Sequence, residues 1–305
     1  MKRRTLLQQT LALSTVGLGR ASSVEPWSLN YLLASSMYGN LPLAEVLAQT
    51  RAGGAQAIEL WPRKHGTQRE ELDQIGEQAL LALLKQHRVS FGGTTRYDLG
   101  PFKLGAEMEL VARLGGKLIV TGGAGEYKNL SPAQLKANVF QLVEQMRAHA
   151  AKAAGLGLVI GIENHVNNLI DTPDSLRWLA DAARNVPGLG IALAPYHLPQ
   201  DSALLADLIH HLDDKLALFY AWEHGKGCMK PMPKSDELQQ MPGRGPLDWK
   251  PLLLALRRIN FQGPTEIFMH PTPRGIPILP TAAETTAEIA RAKRFLDDLV
   301  AQLPS

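Results

Sequence analysis

The chain has 305 residues, of which 45% are hydrophobic and 20% are charged, and its net charge at pH 7 is +3. This length suits one large α/β barrel, which typically takes about 250 residues, or two ordinary domains. Lys and Arg form no dense stripe and Cys228 is the one cysteine, so the composition speaks against nucleic-acid binding and excludes an intrachain disulfide.

The N-terminus resembles an export signal. Arg3 and Arg4 precede a modest apolar stretch at 11–18, and the Arg-Arg-x-Leu-Leu pattern is typical of twin-arginine signals. We therefore predict that residues 1–27 are a twin-arginine-type signal peptide and linker, and that the mature protein is periplasmic. The alternative is an amphipathic N-terminal arm on a cytoplasmic protein. No later segment reaches the roughly 20 apolar residues that span a membrane.

From residue 28 onward, short apolar runs alternate with segments of helical periodicity. The predicted strands are 29–34, 57–61, 89–92, 117–121, 158–163, 190–194, 215–222 and 264–269. The predicted helices are 43–51, 70–87, 104–114, 132–154, one that begins at 173, 202–211, 247–259 and 282–303. A long loop, 223–245, precedes the seventh of these helices, and loops of that length are often functional.

Strict alternation predicts parallel strands with right-handed crossovers, and eight such units suit closure into a barrel. The sequence therefore predicts a single α/β domain, a (β/α)8 TIM barrel, over residues 28–305. The alternative is an open doubly wound sheet, which is weakened because no Gly-x-Gly-x-x-Gly loop follows the first strand.

Four polar side chains stand at the ends of successive predicted strands: Glu163, His197, His224 and Glu266. Carboxylates and imidazoles are costly to bury without partners, so their recurrence after apolar runs indicates one shared polar site. In a parallel barrel these strand ends converge on one face. Glu and His in such a set are plausible ligands for a divalent metal ion.

The motifs around these residues resemble, in order, those of the xylose-isomerase-like barrels, a superfamily of sugar isomerases and epimerases with an apurinic endonuclease branch. The motifs are Ile160–His165, Pro195–Leu198, Ala221–His224 and Thr265–Ile267. Pro242–Trp249 resembles a Pro-Gly-x-Gly segment of that superfamily, and Ala57–Leu60 resembles its second strand, whose acid, here Glu59, faces the site.

The resemblance implies metal ligands at Glu163, Ala194, His224 and Glu266, and it implies that Glu163 and Glu266 are also the catalytic proton-transfer pair. Ala194 departs from the pattern, because the superfamily has an Asp there and alanine cannot bind a metal. Three outcomes remain open: His197 replaces the missing ligand, three residues hold the divalent metal weakly, or there is no metal.

Further side chains lie where a substrate could bind. These candidates are Glu59, Trp61, His165, Tyr196, Trp222, Arg244 and His270. The aromatic rings could stack on a sugar, although aromatic residues near strand ends are commonly part of the core. A histidine at such a position is more often structural than ligating.

The expected activity is that of a sugar isomerase or epimerase, which transfers a proton next to the carbonyl of a sugar or keto-sugar. A lyase that acts on oxidised glycosides shares the first step. A metal-dependent phosphodiesterase like the endonuclease branch is the second alternative, and a non-catalytic sugar-binding barrel is the third. The expected partner is a small carbohydrate and not a nucleic acid, and a homo-oligomer remains open.

Overall fold

The computed structural model describes residues 27–304. The predicted signal peptide therefore lies outside the described residues. The strands are β1 Asn30–Ala34, β2 Ala57–Leu60, β3 Ser90–Thr95, β4 Leu118–Gly122, β5 Val159–Glu163, β6 Leu189–Leu193, β7 Leu216–Ala221 and β8 Pro264–Ile267. The helices are α1 Leu43–Thr50, α2 Gln68–Ile75, α3 Glu77–His87, α4 Gly105–Arg113, α5 Pro132–Gly155, α6 Pro173–Ala183, α7 Ser202–Leu212, α8 Lys234–Glu237, α9 Lys250–Arg258 and α10 Ala282–Ala301.

The eight strands form one closed barrel in chain order. All neighbouring pairs are parallel, and β8 returns to β1 with Leu32 opposite Glu266. Closure satisfies both edges of the sheet, so no strand edge is left unpaired. The predicted single-domain TIM barrel is confirmed, and the open doubly wound sheet is not the fold.

The strands are apolar because both of their faces are covered. All five residues of β4 and all five of β6 are buried, as expected for parallel strands between a barrel interior and a layer of helices. On α5, the buried residues recur at helical spacing: Val139, Leu142, Val143, Met146, Ala150 and Ala153.

Two long helices begin directly after a residue whose side chain caps the helix N-terminus. Ser131 and Thr172 each accept a bond from the backbone of the first turn, and a proline follows each of them. These side chains satisfy backbone N–H groups that have no partner within the helix. The predicted beginnings of α5 and α6 are therefore confirmed.

Three predicted elements differ from the structure. The single helix predicted over 70–87 is two helices, because Gly76 adopts a φ of 81° between α2 and α3. Glycine reaches this left-handed region without steric cost, whereas the apolar spacing continues across the break and conceals it. The helix predicted from 247 begins at Lys250. The long loop, 223–245, contains the short helix α8.

The two ends of the barrel differ. The C-terminal strand ends present the polar residues that the sequence singles out. At the opposite end, a groove of about 1370 Å³ is lined by strand beginnings such as Asn30 and Leu189, and it contains none of the predicted site residues. We therefore look for chemistry at the C-terminal end, where TIM barrels place it. Within residues 27–304, no helix is long and apolar enough to cross a membrane.

Candidate active site

Three carboxyl groups meet inside the C-terminal end of the barrel. Glu59 on β2, Glu163 on β5 and Glu266 on β8 are all buried. Burial raises the pKa of Glu59 to about 7 and that of Glu163 to about 8. Burial, followed by the negative charge of Glu59, raises the pKa of Glu266 well above its ordinary value. Three acids this close cannot all ionise near neutral pH, so the group retains at least one proton.

Glu59 differs from the other two because its oxygens are already engaged. One oxygen accepts a hydrogen bond from Trp61 Nε1 at 2.6 Å, and the other accepts one from Thr95 Oγ1 at 2.8 Å. By contrast, Glu163 Oε2 and both oxygens of Glu266 are buried without a partner. Such groups are expensive to leave unpaired. The available carboxyl oxygens of the site therefore belong to Glu163 and Glu266.

Two tyrosines beside these acids were missed by sequence reasoning. The hydroxyls of Tyr97 and Tyr220 are buried beside the carboxyl of Glu163, without a hydrogen bond of ideal geometry among the described residues. Burial, followed by the charge of Glu163, raises the pKa of both phenols, so both remain protonated donors at neutral pH. Tyr220 lies on β7 directly opposite Glu266 on β8. The alternation along β7 offered a signal, because Tyr220 and Trp222 are two residues apart and share a face.

His224 does not join the acids. β7 ends at Ala221, and His224 lies in the following loop with a φ of 82° and its backbone N–H bound to Gln200 Oε1 at 2.8 Å. Glu223 turns the other way. Its carboxylate accepts bonds from Gly243 N, Leu247 N and Trp249 Nε1. Glu223 thus anchors the Pro242–Trp249 segment that carries the Pro-Gly-x-Gly pattern.

The predicted metal set is not assembled. Among residues 27–304, no group of three His, Cys, Asp or Glu side chains, the three buried acids included, has an arrangement that could hold a metal ion. Ala194 is fully buried and offers no side-chain donor, and its backbone N and O are held by Asn164 at 2.8 and 3.0 Å. The side chain that β7 presents opposite Glu266 is the phenol of Tyr220. Two free carboxyls beside protonated phenols do not fit the four-ligand set that the resemblance implies.

A histidine cluster forms the wall above the acids. The cluster comprises His65, His165, His197 and His270. The ring centroids of His165 and His197 are 4.1 Å apart, and those of His65 and His270 are 4.4 Å apart. Desolvation by burial lowers the pKa of all four rings, that of His65 to about 4. These imidazoles are therefore neutral at physiological pH.

Aromatic rings complete this wall. Trp222 stacks on Tyr196 with centroids 4.0 Å apart, and it meets His197 and His270 edge-on. Trp61 stacks on His65 while its indole N–H is bound to Glu59. Of the predicted substrate-binding residues, the structure thus brings Glu59, Trp61, His165, Tyr196, Trp222 and His270 together at one end of the barrel.

Arg244 is occupied elsewhere. Its guanidinium makes two bonds of 2.6 Å to the carboxylate of Glu288 on α10. This bidentate pair uses the fork of the guanidinium. The structure therefore does not bring Arg244 into the group of side chains around the three acids.

Comparison with known proteins shows that the chain belongs to a known family. A family profile described as xylose isomerase-like TIM barrel matches residues 47–298. No curated protein matches the chain.

Solved structures are similar in fold. One is an L-ribulose 3-epimerase, with 15% identity, a TM-score of 0.64, and coverage of 90% of this chain and 95% of that one. A D-psicose 3-epimerase with D-tagatose from Clostridium cellulolyticum H10 has 16% identity, a TM-score of 0.65, and coverage of 89% and 99%. The IOLI protein with a bound zinc atom has 17% identity, a TM-score of 0.66, and coverage of 91% and 100%.

Proposed function

Because the chain belongs to the xylose isomerase-like TIM-barrel family, we propose that it is a sugar isomerase or epimerase, which moves a proton at the carbon next to a sugar carbonyl. The epimerases with a similar fold support this class of substrate. The observation that carries the proposal is the pair of buried acids, Glu163 and Glu266, whose buried oxygens have no hydrogen bond of ideal geometry to any other described residue.

The pair is suited to acid–base work. An efficient general acid or base has a pKa near the working pH, and burial brings the pKa of Glu163 to about 8. Glu59 and Glu163 both raise the pKa of Glu266 through their charge, after burial itself. One carboxylate can then accept a proton from the substrate carbon while the other, still protonated, returns a proton to the product.

The carbonyl oxygen needs a donor when the proton leaves. The electron pair of the broken C–H bond moves to that oxygen and forms an enediolate. Tyr97 and Tyr220 supply buried hydroxyls beside Glu163 that remain protonated. Donors that are already oriented in a water-poor site stabilise such a developing charge strongly. We assign these phenols the polarising role.

The IOLI protein, which is similar in fold, was solved with a bound zinc atom. In this chain the donor set fits such an ion poorly, because Ala194 replaces the carboxylate ligand and His224 lies beyond the strand end. No step of the proposed reaction is therefore assigned to a metal. The proposal uses only carboxyl and phenol groups on β2, β5, β7, β8 and the residues after β3.

The substrate is proposed to be a free sugar or keto-sugar. An exported protein, as the N-terminal arginine pair predicts, meets few sugar phosphates. The test is incubation of the purified protein with a panel of ketopentoses, ketohexoses and keto-sugar acids, followed by NMR detection of epimers and aldoses. Conversion of at least one sugar is expected, and it should persist after treatment with a chelator. Failure to convert any member of the panel would contradict the proposal.

A further inference from the structure

The acids at the bottom of the site leave the histidine cluster above them without a role in proton transfer. His197 is the member of the cluster in which both ring nitrogens are fully buried without a partner among the described residues. It is 8% exposed, and neither Nδ1 nor Nε2 has a hydrogen-bond partner within the described residues. A neutral imidazole carries one donor and one acceptor, and burying both without partners is costly. The site can therefore receive polar atoms of a ligand at the ring nitrogens of His197.

Arg274, in the segment after β8, adds a charge to the same wall. Its guanidinium donates to the carbonyl of Pro271, the residue next to His270, at 2.8 Å. It makes no ion pair with any acid in residues 27–304. Its positive charge acts on His65, His165, His197 and His270 alike. A half-buried guanidinium with no acid partner is suited to bind an anion through two parallel hydrogen bonds.

A cavity borders the histidine cluster at His197, and Arg274 is not part of its lining. Its volume is about 550 Å³, and His197 and Tyr196 line its inner side. Lys226 and Lys230 line the outer side, and no acid belongs to the lining. The acids of the site all lie below, at Glu59, Glu163 and Glu266. The charged side chains around the histidine cluster are therefore the cations Arg274, Lys226 and Lys230, whereas the proton-transfer groups are the acids within the strands.

We propose that the upper part of the site is an anion-binding subsite, in which Arg274 holds the carboxylate of an acidic sugar while the carbonyl carbon of that sugar faces Glu163 and Glu266. This inference rests on the proposed function and names its substrate class, a keto-sugar acid. A carboxylate matches the planar fork of the single guanidinium through two parallel hydrogen bonds, while Lys226 and Lys230 line the neighbouring cavity that Arg274 does not line.

The test compares three sugars that differ at one carbon: D-fructuronate with a carboxylate, D-fructose with a hydroxymethyl group, and D-fructose 6-phosphate. Affinities are measured by calorimetry for the unaltered protein and for Arg274→Gln, Arg274→Lys and Lys103→Gln. Lys103 is an exposed cation in another loop at the same end of the barrel and serves as the matched loss of charge. Arg274→Lys keeps the charge and guards against a folding defect in Arg274→Gln.

We expect D-fructuronate to bind most tightly, with an affinity that falls as salt is added. Arg274→Gln should weaken its binding by roughly 10- to 100-fold, as for a lost charge-assisted bond, and should leave D-fructose unchanged. Arg274→Lys should lose less, and Lys103→Gln should lose nothing. Equal binding of fructuronate and fructose, or equal losses in Arg274→Gln and Lys103→Gln, would overturn the subsite.

Tighter binding of D-fructose 6-phosphate than of D-fructuronate would overturn the carboxylate assignment. The proposed function is tested separately, by measuring the turnover of keto-sugars. Arg274-dependent binding of fructuronate without any turnover of keto-sugars supports the anion subsite and refutes the isomerase or epimerase proposal.

Discussion

Replacing Glu163 by glutamine should remove a specific pH dependence from the stability of the fold. In the unfolded chain this carboxyl ionises near its ordinary value of 4.5, whereas burial raises its pKa in the native state to about 8. Between these values the native state binds more protons than the unfolded state, so stability falls as the pH rises. Since a pKa difference of one is worth about 1.4 kcal/mol, this carboxyl alone should destabilise the native state by roughly 3 kcal/mol between pH 5 and pH 8.

Glu163→Gln cannot ionise, so its free energy of unfolding should depend less on pH by about that amount. The amide brings a new buried N–H group, which can cost about 1–3 kcal/mol. That cost is the same at every pH and shifts the whole curve without changing its slope. Losing the charge of Glu163 also lowers the pKa of Glu266, which flattens the curve further.

The assay is urea unfolding followed by tryptophan fluorescence at several pH values from 5 to 8. The control is Glu45→Gln, because Glu45 is an exposed acid on α1, and its curve should run parallel to that of the unaltered protein. If the curve for Glu163→Gln is also parallel to the unaltered one, the carboxyl is not titrating in a buried site and the reasoning fails.

Three further predictions concern the phenol, the missing ligand and the N-terminus. Tyr220→Phe should lower kcat roughly 100-fold with little change in KM if the hydroxyl polarises the carbonyl; an unchanged kcat would remove that role. Ala194→Asp should raise the zinc or manganese content of the purified protein, measured by elemental analysis, because it adds a carboxylate between β5 and β7; equal metal content in both proteins would contradict the donor-set reasoning. The periplasmic product should begin after about residue 21, which N-terminal sequencing can check. A cytoplasmic chain that starts at Met1 would contradict the export prediction.

Most of the fold could be predicted because it depends on local patterns. Caps such as Ser131 and Thr172, and buried runs such as those of β4 and β6, mark their elements without knowledge of the tertiary structure. The helix break at Gly76 was not predicted because helical spacing continues on both sides of it. A glycine inside such a pattern can be tolerated in a helix or can break it, and tertiary packing decides between the two.

The position of a candidate site residue could be predicted from the sequence when that residue lies within a strand. Glu59, Glu163 and Glu266 all do, so their common orientation followed from the barrel. His224 was predicted to join them because it follows the predicted strand 215–222 and matches a ligand position of the resemblance, but the strand ends at Ala221 and His224 lies in the following loop with a φ of 82°. Arg274 and Tyr97 lie in connections after strands, where the direction of a side chain depends on contacts that a single sequence does not reveal.

The most direct test of the proposed chemistry is the incorporation of deuterium from D2O into a keto-sugar at the carbon next to its carbonyl, followed by NMR. The measurement reports proton abstraction itself and does not require the final product to be known. The unaltered protein should catalyse the exchange in at least one sugar, and Glu163→Gln and Glu266→Gln should each abolish it while remaining folded. Exchange at an unchanged rate in both variants, or no exchange in any sugar with the unaltered protein, would contradict proton transfer by these two glutamates.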